Sequence, residues 1–351
     1  MKKLLILAIF LIYANAAYAV SGISAVWVQN NEIFISTGSG GQVQLTHNAL
    51  PKDNPVFSKD GSMIAFTEQT PQNVALDSLV VIDTFGNRIH KFLIHPVDPS
   101  DPNAVIGGMR FVERITWLTN SKIAVAGSID PSSVETNTFD ISSGKELESE
   151  DNITDGFPVY SPDGLHYAFV AGVPHFTAWN DQEPEFDIDN NQRIYPPTGT
   201  QAHFITNPAW SADSQNLAIV AMGSNNTSNI VIWHIGDAQP SLVPIPIKKE
   251  QNRYVVAKLF WSGEALTVTS DEGDWSYSQG TLTAISPSQA VDPRQAAWDL
   301  KANLEKSLGI GPSESDFWCQ SCPLTLLPRR SPEFVPNSKA VFIKRAKLSP
   351  K

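Results

Sequence analysis

The chain has 351 residues and a formal net charge of −11 at pH 7. An acidic balance of this size excludes a protein built to grip nucleic acid or to lie on an anionic membrane, since both need a basic face. The length suits two ordinary domains, or one domain that grows by repetition.

In chain order, the first segment reads as a secretory signal. Lys2 and Lys3 form a positive start, residues 4–13 form a short apolar core, and Ala17-Tyr18-Ala19 supplies the small residues of a cleavage site. The apolar run is well short of the ~20 residues of a spanning helix. Cleavage after Ala19 is expected, giving a periplasmic or secreted chain. No cysteine follows that site to carry a lipid, and no later run is long and apolar enough to span a bilayer.

Beyond Val20 a motif recurs. It reads "NPVFSKDGSMIAF" from Asn54, "FPVYSPDGLHYAF" from Phe157, "NPAWSADSQNLAIV" from Asn207 and "SPEFVPNSKAVFI" from Ser331. Each copy has a proline two residues before an aromatic, an Asp or Asn three residues after it, a small residue next, and then an apolar strand. Shorter copies surround Trp117 and Trp261. Ser-Pro-Asp-Gly suits a turn, with proline fixing φ at its second position and glycine at its end. The flanking aromatic and β-branched residues favour a half-buried pleated surface. Further strands follow each turn: 78–84, 229–235 and 281–286. A β-unit recurring every ~40–50 residues has the size of a four-stranded propeller blade.

The ends complement each other. Residues 25–37 and 42–47 read as later strands of a blade, joined through the glycine-rich hairpin loop 38–41, and the copy at 331–343 reads as first strands. The sequence therefore predicts an all-β, six-bladed propeller, its blades marked by Phe57, Trp117, Tyr160, Trp210, Trp261 and Phe334. A composite blade from both termini closes the ring, which removes open sheet edges.

The motif resembles the PD40, or WD40-like, repeat of TolB-type propellers, whose idealised form is P-x-W-S-P-D-G-x-x-I-A-F. The resemblance covers nearly all of residues 20–343 and implies a propeller. TolB-type proteins are periplasmic and bind other envelope proteins, so it also implies an envelope protein partner. The small α/β domain that precedes such propellers is not expected here. Propellers of this class also accompany hydrolase domains, but no G-x-S-x-G nucleophile elbow occurs.

Two insertions interrupt the repeat. Residues 175–199 are acidic and aromatic, and Trp179, Phe186 and Tyr195 are candidates for partner docking. Asp187, Asp189 and Asn191 alternate like oxygen ligands of a Ca²⁺ loop. An EF-hand would need Gly and Glu where Gln192 and Thr198 stand, so only a looser Ca²⁺ site fits. Residues 292–330 hold a helix and a CxxC string. Asp292 caps, Pro293 opens, Gln295 completes a capping box, and Gly309 ends the helix, with Ala297, Leu300, Leu304 and Leu308 on one face.

Cys319 and Cys322 are the only cysteines, and in an exported chain such a pair is expected as a disulfide. A redox pair would belong at a strand-to-helix junction of a βαβ unit, haem attachment would need His where Pro323 stands, and zinc would need two further ligands.

The seven histidines form no paired metal motif, and no phosphate-binding glycine loop precedes a helix. No catalytic residue is assigned. The expected function is an exported, monomeric propeller scaffold for protein–protein interaction in the envelope. The alternatives are a propeller lactonase, lyase or glycosidase with a funnel site, or a carbohydrate- or peptide-binding module. An apolar surface patch would favour the scaffold, and converging carboxylates would favour an enzyme.

Overall fold

The structure is a computed structural model. It describes residues 23–36, 41–70, 73–94, 97–98, 101–105, 109, 111–130, 133–152, 158–171, 192–194, 203–204, 206, 208–222, 228–247, 257–270, 272–287, 299, 302–303, 305–306, 315–319 and 340–345.

The described residues are mostly strand with very little helix, arranged as successive antiparallel sheets. Sheet 1 holds β1 (Ile23–Gln29), β2 (Glu32–Ser36) and β3 (Gln42–Gln44), with β26 (Ser315–Cys319) beside β1. Sheet 2 is the meander β4 (Lys52–Phe57), β5 (Met63–Thr70), β6 (Asn73–Asp83) and β7 (Arg88–Leu93). A small hairpin, β8 (Val97–Asp98) and β9 (Asp101–Val105), leads to sheet 3. That sheet is the meander β10 (Phe111–Trp117), β11 (Lys122–Asp130), β12 (Ser133–Asp140) and β13 (Lys145–Asn152).

Sheet 4 has the order β14 (Val159–Tyr160), β15 (His166–Ala171), β27 (Ala340–Arg345), β16 (Gln192–Ile194). In sheet 5, β17 (His203–Phe204) and β18 (Ala209–Trp210) pair with different parts of β19 (Asn216–Met222), which continues to β20 (Ser228–His234) and β21 (Ser241–Ile245). Sheet 6 is the meander β22 (Ala257–Ser262), β23 (Ala265–Ser270), β24 (Gly273–Ser278) and β25 (Thr281–Ile285).

The core lies between sheets. On β5, Ile64 and Phe66 pack with Val26, Ile33 and Ile35 of sheet 1, while Ala65 faces Ile115, Ile123 and Val125 of sheet 3. On β19, Leu217 and Ile219 pack with Ala168 of sheet 4, while Ala218 and Val220 pack with Leu259, Leu266 and Val268 of sheet 6. Side chains of a strand alternate between faces, so burying both faces makes the second strand a continuous apolar run. This is why "MIAF" and "NLAIV" lack the polar alternation of a one-sided sheet.

The repeat motif builds the turn after each first strand. In sheet 2 the Ser58 N–H donates to Met63 O at 2.8 Å, the Met63 N–H to Ser58 Oγ at 2.9 Å, and the Ser58 hydroxyl to Asp60 Oδ1 at 2.7 Å. Sheets 4 and 5 repeat this with Ser161, Asp163 and His166, and with Ser211, Asp213 and Asn216. The small residue that ends the motif has a positive φ: 73° at Gly164 and 64° at Ser214. A β-carbon on Gly164 would stand 2.2 Å from the carbonyl oxygen of Leu118, so glycine is required there by the neighbouring sheet as well as by the turn.

The turns also join the sheets. The Asp60 N–H donates to Asn120 Oδ1 at 3.0 Å, the Asp163 N–H to Ser214 Oγ at 3.0 Å, and Lys59 Nζ to Pro162 O at 2.7 Å. The motif tryptophans form a second series. Trp117 Nε1 reaches Val56 O at 3.4 Å, Trp210 Nε1 reaches Val159 O at 2.8 Å, and Trp261 Nε1 reaches Ala209 O at 3.0 Å. In every case the acceptor immediately precedes the motif aromatic of an earlier sheet.

Two expectations about the C-terminal part change. Sheet 1 does join strands from both ends, but its C-terminal member is Ser315–Cys319, not 331–343. The last strand, Ala340–Arg345, lies between β15 and β16 instead. The apolar run Val341–Ile343 suits a central strand, and local sequence carries no information on which distant sheet will take it. The remainder of the 331–343 copy, with Phe334, lies outside the described residues. Of the expected helix, the described residues Asp299, Ala302, Asn303, Glu305 and Lys306 are helical, and its apolar stripe lies outside them. Among the described residues no helix is long and apolar enough to cross a membrane.

The indole bonds predict an order of mutational effects. Trp210→Phe keeps a ring and leaves Val159 O without its donor, costing about 1 kcal/mol by urea unfolding. Trp117→Phe, which removes the longer bond, should cost less. Equal or reversed effects would show that the indole N–H groups do not join the sheets.

Candidate functional site

The residues expected at the 175–199 insertion (Trp179, Phe186, Asp187, Asp189, Asn191 and Tyr195) lie outside the described residues. Cys319 ends β26 opposite Ile23, and Cys322 lies outside. Among the described residues no group of three or more His, Cys, Asp or Glu side chains is placed to hold a metal ion. What the described residues do bring together is a polar cluster, a carboxyl pair and an apolar rim, all on sheets 1 and 2.

The cluster centres on Lys52, the first residue of β4, whose side chain has 0% exposure. Its ammonium donates to Asn31 O at 2.9 Å, Leu50 O at 2.8 Å and Asn48 Oδ1 at 2.5 Å. The carboxylates of Glu32 and Glu68 stand 3.4 and 3.8 Å away. Glu68 also takes bonds from Asn48 Nδ2 at 2.7 Å and Lys91 Nζ at 2.9 Å, and Glu32 from the Ala49 N–H at 2.6 Å and the Thr46 hydroxyl. Burial works against both negative charges. The Thr46 hydroxyl and Ala49 N–H on Glu32, the Asn48 and Lys91 donors on Glu68, and the charge of Lys52 outweigh it and hold both carboxyls below their ordinary range. With its hydrogen bonds filled, this group acts as a brace between the sheets.

Beside the brace, Asp53 on β4 is exposed and takes the Asn54 N–H at 2.7 Å. Asp77 on β6 is half-buried. Burial, then the negative charge of Asp53, raises its carboxyl above the ordinary range. Such a group can hold a proton at a pH where its neighbours are ionised.

The rim is formed by outer strands. Val43 on β3 is 51% exposed, and on β7 Ile89 is 40% and Leu93 46% exposed. Phe85, in the turn before β7, is 72% exposed. That turn is tightly held. Asp83 Oδ1 accepts from the N–H groups of Phe85 at 2.9 Å and Asn87 at 2.8 Å, and Asp83 Oδ2 accepts from Asn87 Nδ2 at 2.8 Å. A β-carbon on Gly86 would sit 2.5 Å from Leu45 O, so the turn lies directly against the chain leaving β3. The result is an exposed aromatic side chain on a backbone that is already ordered, so that covering it costs little backbone entropy.

Sequence reading did not single out these groups. The signal that could have found the rim was "DTFGN", a phenylalanine inside an Asp-to-Asn turn. Nothing local marks Lys52 or Asp77, because their partners lie in other strands.

A scan against protein-family models finds no match, and no curated protein matches in sequence. Among solved structures, the chain is similar to the β-propeller domain of the trilobed protease from Pyrococcus furiosus, with 12% identity, 75% of this chain and 80% of that chain covered, and a TM-score of 0.40. It is similar to TolB from Acinetobacter baumannii, at 16% identity over 77% of this chain and 68% of that one, with a TM-score of 0.30. It is also similar to an oligogalacturonate lyase from Vibrio parahaemolyticus, at 14% identity over 72% and 70%, with a TM-score of 0.41.

Two outcomes test the geometry. Lys52→Met takes the cation from buried Glu32 and leaves Glu68 with Lys91 alone, and should destabilise the protein by about 3 kcal/mol in urea unfolding. A loss under 1 kcal/mol would mean the ammonium does not hold the sheets together. The sign for Asp77 is opposite. A folded-state value raised above the unfolded one gives stability that is full at low pH and lost as pH rises through the folded value. Asp77→Asn should therefore raise Tm at pH 7 and give no gain near pH 3. A gain that is the same at both pH values would exclude a raised carboxyl.

Proposed function

We propose that the chain is a six-bladed propeller, exported to the cell envelope after cleavage behind Ala19, that works as a monomeric docking scaffold for another envelope protein. The observation that carries the docking reading is the rim of Val43, Phe85, Ile89 and Leu93. Interaction sites are anchored by aromatic side chains, and Phe85 is an exposed aromatic on a tightly held turn. The propeller reading is supported by six successive sheets of four or more strands among the described residues, the first drawing on both ends of the chain. A disulfide between Cys319 and Cys322 and a loose Ca²⁺ site at Asp187, Asp189 and Asn191 belong to the same reading, with Trp179, Phe186 and Tyr195 as further contacts.

A second reading, a propeller lactonase, lyase or glycosidase, is favoured by one observation: the raised carboxyl of Asp77 beside Asp53. Such a pair offers one protonated and one ionised acid, as acid–base chemistry needs.

Phe85→Asp separates these readings. The side chain is exposed, so the fold should stand within about 0.5 kcal/mol. Retention of envelope proteins on the immobilised variant should fall ~10-fold or more against the natural chain. Equal retention by both would remove the rim from the function. Glycan or lactone turnover that survives Phe85→Asp and is abolished by Asp77→Asn would establish the enzyme instead.

A further inference from the structure

Sheet 4 differs from its neighbours in how it is assembled. Sheets 2, 3 and 6 are local meanders, each strand pairing with the next in sequence. In sheet 4, β15 and β16 do not pair with each other. Both pair with β27, the last of the described strands. The register runs from His166 opposite Arg345 to Ala171 opposite Ala340 on one side, and from Gln192 opposite Ile343 to Ile194 opposite Val341 on the other. The chain's own local strands thus leave a slot one strand wide, with ladder positions on both of its walls.

We propose that this slot is an acceptor site for an extended peptide and that β27 is its resident occupant. Strand addition takes its affinity from main-chain hydrogen bonds, and a central slot supplies two ladders where a sheet edge supplies one. The occupant defines the ligand: a short uncharged apolar run, Val341–Ile343, followed by the two cations Lys344 and Arg345, antiparallel to β15. An external segment of an envelope protein with this pattern fits the same ladders.

About twenty residues separate Cys319 at the end of β26 from Ala340. A tethered strand meets its own sheet at an effective concentration of the order of millimolar, so β27 protects the slot until a tighter strand displaces it. The inference rests on the docking reading only in requiring that partners exist, and its test uses no envelope extract. Its failure and the failure of the rim are therefore separable.

The test uses the full chain with a specific protease site inserted between Arg330 and Ser331. The protein is folded and purified first, then cut, so that β27 is held without a tether. The probe is a fluorescent peptide of residues 337–348, added in excess and followed to equilibrium by anisotropy. Saturable uptake by the cut protein, with binding to the uncut protein at least ~100-fold weaker, is expected. Phe342 faces Phe169 on one side and Arg193 on the other, so a Phe342→Pro peptide loses a central donor and should not bind. No uptake by the cut protein, or equal uptake of the Phe342→Pro peptide, would overturn the proposal. A dimer of the cut protein in place of peptide uptake would assign the slot to a second copy of the chain and overturn the external occupant.

Discussion

Among the described residues, every buried apolar cluster is shared between two sheets. Ile64 and Phe66 belong to one interface and Ala65, between them, to the next. Leu217 and Ala218 divide in the same way. A single four-stranded sheet would expose two apolar faces, so each sheet is stable only between neighbours. Stability is then spread along the array as a series of interfaces, as in other repeat architectures. The recurrent motif serves this constraint. Its serine and aspartate close the turn, and its tryptophan then spends the indole N–H on a carbonyl of an earlier sheet.

The same logic explains where charge is tolerated. Lys52, Glu32 and Glu68 are buried where sheets 1 and 2 meet, and each charge has several partners there. At the motif turns, Asp213 is held below its ordinary range by the Ser211 hydroxyl and the Gln215 N–H; at Asp163 burial opposes the charge, but Ser161 and the Leu165 N–H outweigh it. Asp77 departs from this pattern, because burial and then the like charge of Asp53 both raise its carboxyl. A stable array can carry such a group, and a rigid frame is what makes both it and Phe85 usable for recognition or chemistry.

Much of the fold is legible in the sequence. Pro-x-aromatic-Ser-x-Asp-Gly announces its own turn, because the bonds that close it lie within a few residues, as between Ser161 and His166. The strands at 78–84, 229–235 and 281–286 emerge as parts of β6, β20 and β25; the apolar runs of the first two report burial directly, whereas β25 is a largely exposed outer strand. The candidate site is less legible. The turn that carries Phe85 is visible, but the exposure of its ring depends on Gly86 resting against Leu45, a contact made across two sheets.

The sequence by itself determined the all-β character and the turns, because each follows from local bonding and local apolar pattern. Only the tertiary structure decided that Ser315–Cys319 completes sheet 1, that Ala340–Arg345 enters sheet 4, and that Lys52 and Asp77 meet their particular neighbours. The physical reason is that a strand's pairing energy is nearly independent of which apolar strand it meets. The choice among distant partners is made by packing and loop closure over the whole chain, and no short stretch of residues encodes it.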